Sequence, residues 1–238
     1  MKLNRLTYRV RARNALFSEP ITRAGGEKNS LLVPTYQALK GITESIYFKP
    51  SIMWIVERIR VMNPIKTEVK GIRPVKYSGG NDLSFYNYLC DVEYQVEVRF
   101  VFNENRPELK EDWNENKHFF IAKRSLERGG RRDIFLGTRE CQGYVEPCEF
   151  GSGIGHYDTT ESMEFGLQYH SIVYADENAQ AQRMVKFWKP KMEKGIITFI
   201  PPEQCSIERL ISNNSIKTFT VGTDFQSVER EFVLAGGQ

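Results

Sequence analysis

Few side chains in this 238-residue sequence can exchange a proton near neutral pH, and His118 is one of only three histidines. It follows Lys117 directly, and the pair opens a helical pattern, KHFFIAKRSLER. Tyr47 closes an earlier helical pattern. An imidazole with an ordinary pKa near 6.5 can give or take a proton at pH 7. A lysine ammonium is a mobile point charge suited to a phosphorane oxygen. A phenol can position a hydroxyl or share in proton transfer. Together these groups suit cleavage of a phosphodiester that carries its own nucleophile, as RNA does in its 2′-hydroxyl. The nucleophile's proton must be removed, the charge on phosphorus stabilised and the leaving 5′-oxygen protonated. Residue type alone makes this a weak signal. A tyrosine at a helix end is usually an amphipathic core residue, and a Lys-His pair at a helix start is usually solvated. His156, in a glycine-rich loop, and His170, in an alternating run, read as structural or exposed.

Other catalytic patterns are missing. The sequence has no GxxxxGK[ST] phosphate loop, HExxH or GxSxG elbow. No strand carries a DxD-like pair suited to two metal ions. Cys90, Cys141, Cys148 and Cys205 form no CxxC pair, so a structural metal is not expected, and free thiols of a reducing cytosol are the simpler reading. No apolar run approaches the ~18 residues that span a bilayer, and MKLNRLTYRVRARN lacks the apolar centre of a signal peptide. The expectation is a cytoplasmic protein with no cofactor and no membrane partner.

The elements that must position these residues follow from periodicity. In RLTYRVRA (5–12) Leu6, Tyr8, Val10 and Ala12 alternate with arginines, which predicts a half-buried strand. Pro34 opens a helical pattern through Tyr36, Leu39, Ile42 and Ile46, and Pro50 ends it. WIVERIRVM (54–62) reads as a strand, 66–88 as loop, and VEYQVEVRFVF (92–102) as the clearest strand, apolar at every even position. A helix is predicted over 116–128, stopped by Gly129, and a strand over DIFLGTREC (133–141). The order is βαββαβ, which predicts an α+β, ferredoxin-like (RRM-like) N-terminal domain over 1–146. A boundary is expected near Pro147 and the Gly151–Gly155 stretch. Strands near 165–174 and 195–200 then suggest a small β-rich C-terminal module over 147–238.

Charge separates the same two parts. Residues 1–146 hold 25 Lys+Arg against 18 Asp+Glu, a balance of +7; the remaining 8 and 12 give −4, which restores the overall +3. A basic N-terminal part suits a polyanion, although a solvated basic face would look the same. The stretch Arg128-Gly129-Gly130-Arg131-Arg132 is the stronger binding signal, since glycines let backbone amides approach phosphates while arginines supply charge. Arg139, in LGTRE, extends it. Exposed strand aromatics could stack on unpaired bases.

Two longer blocks carry a resemblance. ALKGITESIYFKPSIMWIVERIRVMNPI and KHFFIAKRSLERGGRRDIFLGTRECQG resemble the type I-C (Dvulg subtype) form of the fifth CRISPR-associated protein family, in the repeat-associated RNA-binding superfamily. TRAGGEKNSLLVPT, which contains Arg23, resembles that family's glycine-containing loop before the first helix. The resemblance implies metal-independent cleavage of precursor CRISPR RNA near the base of the repeat hairpin. The products implied are a 2′,3′-cyclic phosphate and a 5′-hydroxyl, with the 5′ handle retained. It assigns the catalytic roles to Tyr47, Lys117 and His118. RNA binding is expected of Arg23, Arg128, Gly129, Gly130, Arg131, Arg132 and Arg139. The implied partners are precursor and mature CRISPR RNA and other subunits of a type I-C surveillance complex. Two rival readings remain: a non-catalytic subunit that caps the handle, and a subunit whose basic surface contacts duplex DNA.

Overall fold

The computed structural model of the chain describes residues 4–178 and 182–213. Its strands are β1 (Arg5–Ala15), β2 (Lys28–Asn29), β3 (Ile52–Val61), β4 (Thr67–Ile72), β5 (Ser84–Phe102), β6 (Ile134–Phe135) and β7 (Gln142–Pro147), then β8 (Ser162–Glu164), β9 (Gln168–Val173), β10 (Gln182–Trp188), β11 (Lys191–Glu193), β12 (Ile196–Thr198) and β13 (Ile207–Asn213). The α-helices are α1 (Pro20–Arg23), α2 (Tyr36–Ile46) and α3 (Glu115–Glu127).

The central strands lie in the order β7-β1-β5-β3, all antiparallel, with α2 and α3 as the two crossovers. This is the α+β, ferredoxin-like arrangement that the sequence predicts. Alternation places Tyr8, Val10, Val96 and Val98 in the core at 0% exposure, under α2. The Tyr8 hydroxyl and Thr43 Oγ1 of α2 lie 2.8 Å apart, which pins helix to sheet. The opposite face keeps its charges in pairs, among them Arg9 with Glu146 and Arg58 with Glu97.

Several predicted boundaries move. Pro34 precedes α2 rather than starting it: Thr35 is the N-cap, and its side chain accepts from the Ala38 amide. The loop expected over 66–88 is largely a hairpin, because β4 pairs with an extension of β5 that begins at Ser84. The strand expected over 133–141 is only β6, which lies at the sheet edge, and the position beside β1 goes to β7. Strands after Pro147 divide between two places. The short β12, β11 and β8 continue the main sheet beyond β3, while β9, β10 and β13 form a sheet of their own.

His170 of β9 is fully buried. It stacks on Tyr36 with ring centroids 4.6 Å apart, its Nε2 donates to Ile200 O at 3.1 Å, and Nδ1 lies 2.9 Å from Ser171 Oγ. Burial pushes its pKa down to about 4, against the partial support of the Ile200 carbonyl. The unfolded imidazole therefore takes up a proton first. Its contribution to stability is complete above about pH 6.5 and is lost as pH falls towards 4, on the order of 3 kcal/mol across that window. Thermal melts at pH 7 and pH 5 should show a steep acid loss in the wild type. His170→Phe should start less stable at pH 7 but lose less between the two; equal losses would contradict the assignment.

Candidate active site

Two helix ends bring the proposed groups together. Tyr47 is the C-cap of α2, in an extended conformation (φ −156, ψ 124), which turns its side chain away from the helix path. Its amide still donates to Thr43 O at 3.0 Å, and Trp54 Nε1 donates to its carbonyl at 2.7 Å. His118 lies in the first turn of α3, whose N-cap Asn114 accepts from the Lys117 amide through Oδ1 at 3.0 Å. Phe100 and Phe102 of β5 flank the imidazole, with ring centroids 6.0 and 6.4 Å away.

The Tyr47 hydroxyl lies 2.9 Å from His118 Nδ1, and His118 Nε2 lies 2.8 Å from the Asp112 carbonyl oxygen. A carbonyl can only accept, so Nε2 carries the proton, and in the neutral ring Nδ1 accepts from the tyrosine. The imidazole is thus held with its basic nitrogen facing the phenol. Burial pushes the Tyr47 pKa up to about 12, the Asp112 carboxylate adds to the rise, and the Arg131 guanidinium opposes it. The phenol stays protonated at neutral pH.

Asp112, which sequence reading missed, links the remaining parts. Its Oδ2 accepts from Ser51 Oγ at 2.5 Å, its Oδ1 pairs with Lys117 Nζ, and its carbonyl holds His118. Burial acts to raise this carboxyl, but hydrogen bonds from Lys117 and Ser51, with the charge of Lys117, outweigh it and hold the group below the ordinary carboxylate range. Nothing in LKEDW distinguishes this aspartate from a solvated one; its only sequence signal is its place just before the N-cap of α3. Lys117 does not touch Tyr47 in the hydrogen-bonded set. It stands half-exposed at the outer edge and reaches the couple through Asp112. Tyr47 and His118 are both at 0% exposure, so this arrangement is closed to solvent. Among the described residues no three His, Cys, Asp or Glu side chains gather in a way that could hold a metal ion.

The arginine-glycine stretch lies against the same helix end but not as expected. Gly129 and Gly130 have φ of +83 and +103 and form a Schellman cap: Gly130 N donates to Ser125 O at 2.8 Å and Gly129 N to Leu126 O at 2.9 Å. The amides of Arg131 and Arg132 both donate to Ser45 O at 3.1 Å. These four amides are therefore committed to protein carbonyls and do not form a phosphate cradle. The glycines allow the left-handed turn that sends the arginine side chains outward. Arg128, Arg131, Arg132 and Arg139 are exposed, as is Arg23 at the end of α1, and none forms an ion pair among the described residues. The Arg131 guanidinium lies 5.8 Å above the Tyr47 ring, and that of Arg139 lies 5.9 Å above the Phe135 ring.

Comparison with known proteins agrees with this architecture. The family described as "CRISPR-associated protein (Cas_Cas5)", in its Cas5d form, matches residues 5–200. A Thermus thermophilus protein named "CRISPR pre-crRNA endoribonuclease Cas5d" is 30% identical over 153 residues, which is 60% of this chain and 64% of that protein's length. A Mannheimia succiniciproducens protein of the same name is 24% identical over 226 residues, covering 84% of this chain and 96% of the relative. A solved structure titled "Crystal Structure of CRISPR-associated Protein" shares 36% identity, with a TM-score of 0.74 over 86% of this chain and 96% of that one. With that coverage, and with the type I-C signature blocks in place, the chain belongs to the CRISPR-associated Cas5 family, in its Cas5d form.

Proposed function

We propose that this chain is an endoribonuclease that cuts precursor CRISPR RNA in its repeat by 2′-hydroxyl attack, and that it stays on the 5′ handle as a subunit of a surveillance complex. The observation that carries this reading is the Tyr47–His118 couple: an imidazole whose basic nitrogen accepts from a phenol, with its tautomer set by the Asp112 carbonyl. The names of the two curated relatives support cleavage of precursor CRISPR RNA.

The mechanism uses the chain's own groups. Local opening first lets the strand reach the buried couple, beside which the Arg131 guanidinium lies 5.8 Å from the Tyr47 ring. The 2′-hydroxyl proton then passes to the Tyr47 oxygen while the tyrosine proton passes to His118 Nδ1. The 2′-oxygen attacks phosphorus, Lys117 offsets the charge on the non-bridging oxygens, and the bond to the 5′-oxygen breaks as the proton held on His118 Nδ1 returns through the Tyr47 hydroxyl to that oxygen, which leaves the couple neutral again. The products are a 2′,3′-cyclic phosphate and a 5′-hydroxyl. No step requires a metal. Residues 1–146 supply this chemistry in the proposal, with 147–238 as a supporting module, of which the described strands β8, β11 and β12 extend the main sheet.

A repeat RNA with a single 2′-deoxy nucleotide at the cut tests the reading. Tight binding with no cleavage, beside full cleavage of the all-ribose RNA, is the expected pair of results. Cleavage of the deoxy substrate would exclude 2′-hydroxyl attack. Binding of both without cleavage of either would leave the handle-capping scaffold.

The arginines give a second expectation. Single-stranded nucleic acid releases counterions with a slope of about −0.7 per phosphate neutralised. Replacing Arg131 and Arg132 together by alanine should weaken RNA binding and flatten the plot of log affinity against log salt by roughly 1.4, if each meets one phosphate. Titrations at several salt concentrations measure this. An unchanged slope would remove both residues from the interface.

A further inference from the structure

The two signature blocks meet at a cavity that the proposed reaction leaves unused. It has a volume of about 420 Å³ and lies beside the N-terminal half of α2, between that helix, β6 and its following turn, and β9. Gln37, Gly41, Phe135, Thr138 and Tyr169 line it, and Arg23 stands at its rim. The volume is within the range of pockets that hold small ligands.

Three features point to a ligand. Gly41 sits inside α2, where glycine is unfavourable for the helix. A Cβ built there meets nothing within 4 Å, and its φ is ordinary for a helix, so neither packing nor backbone geometry demands a glycine. Its missing side chain leaves the floor of the cavity open. Next, the cavity offers uncommitted polar groups. The Tyr169 hydroxyl forms no hydrogen bond among the described residues, although burial pushes its pKa well up. Gln37 commits its Oε1 to the Ile172 amide at 3.0 Å, which leaves its NH₂ group available. Finally, the half-buried Phe135 ring provides an aromatic surface beneath the Arg139 guanidinium, while Arg23 supplies positive charge at the rim without an ion pair. A flat aromatic surface, neutral hydrogen-bonding groups and unpaired cations at the edges match a base with its flanking phosphates.

We propose that this cavity takes one unpaired nucleobase of the RNA strand that crosses Tyr47. Phe135 forms one wall, Gln37, Thr138 and Tyr169 read the edge of the base, and Arg23 and Arg139 hold the neighbouring phosphates. Gly41 lies six residues before Tyr47, the C-cap of α2, about 9 Å along the helix axis and roughly a third of a turn around it, so a strand that meets both wraps partly round the end of α2. The assignment rests on the endoribonuclease reading for which strand is bound, but it is tested by binding rather than by cutting.

The probe is the cognate repeat RNA with 2′-deoxyribose at the cut, in which each nucleotide near the cut is replaced in turn by an abasic one. Wild-type protein should lose about 10-fold in affinity at one position. Gly41→Leu fills the cavity without backbone strain, and should bind the intact RNA about 10-fold more weakly while showing no further loss at that position. Tyr169→Phe removes only the unbonded hydroxyl and should show a smaller loss at the same nucleotide, with thermal melts confirming that both variants are folded. Abasic losses that are the same in the wild type and both variants would overturn the proposal. Failure of the cleavage reading would look different: the all-ribose RNA would remain uncut whatever the abasic scan shows.

Discussion

His118→Ala is expected to lower single-turnover cleavage of repeat RNA by roughly 10²–10⁴-fold, the usual contribution of one general acid–base group. Binding should fall far less, because the imidazole is fully buried and cannot contribute to the outer surface that first meets RNA. The substitution also removes hydrogen bonds to the Tyr47 hydroxyl and the Asp112 carbonyl and leaves a gap beside Phe100 and Phe102. A stability loss of about 1–3 kcal/mol is expected from the unsatisfied partners alone. Melting curves and RNA titrations on the same preparation separate that loss from the chemical one. A folded, RNA-binding His118→Ala that still cuts within a few-fold of wild type would mean that the imidazole only supports α3.

Tyr47→Phe is the sharper substitution, because it keeps the ring, the C-cap of α2 and the Trp54 contact to the backbone, and deletes only one oxygen. Cleavage should fall by at least about 10²-fold if the proton passes through the phenol. The structural cost is limited to leaving His118 Nδ1 without its donor, about 1–3 kcal/mol. The pH dependence distinguishes a relay from a phenolate. With its pKa pushed up to about 12, Tyr47 holds its proton throughout the neutral range. The wild-type rate should therefore show no rising limb from tyrosine ionisation between pH 7 and the ordinary tyrosine value near 10. Such a limb would mean that the opened site relieves the burial and that the phenolate is the base.

Much of the scaffold was legible because one face of the sheet is wet. The even positions of 92–102 could only face a core, and with β1 they set the central pair of the fold. The upstream half of β5 was not legible: NDLSFYNYLC follows Gly79-Gly80 and lacks clean alternation, since its partner β4 is itself largely exposed. Continuation of the main sheet past Pro147 was hidden for another reason. β8, β11 and β12 are three residues each, too short to display a period, and they are fixed by pairing in series, β12 on β3, β11 on β12 and β8 on β11, rather than by their own pattern.

The candidate site divides in the same way. Residue chemistry named Tyr47, Lys117 and His118, but not their contacts. The tyrosine and histidine meet directly, whereas the lysine is joined to them only through Asp112. That aspartate acts through a backbone carbonyl as much as through its carboxylate, and a carbonyl has no sequence signature. Arg128–Arg132 carried both meanings at once. LERGG is the pattern of a Schellman cap, and a cap consumes the amides that a phosphate would need. Side-chain charge is what remains for RNA there.

Central to the account is transfer of the 2′-hydroxyl proton to the Tyr47–His118 couple without help from a metal. Incubating the purified chain with its cognate repeat RNA in excess EDTA, and then identifying the new ends, tests this most directly. The account predicts undiminished cleavage leaving a 2′,3′-cyclic phosphate and a 5′-hydroxyl, and loss of both products with Tyr47→Phe. Cleavage that stops in EDTA, or that leaves a 3′-hydroxyl and a 5′-phosphate, would contradict it.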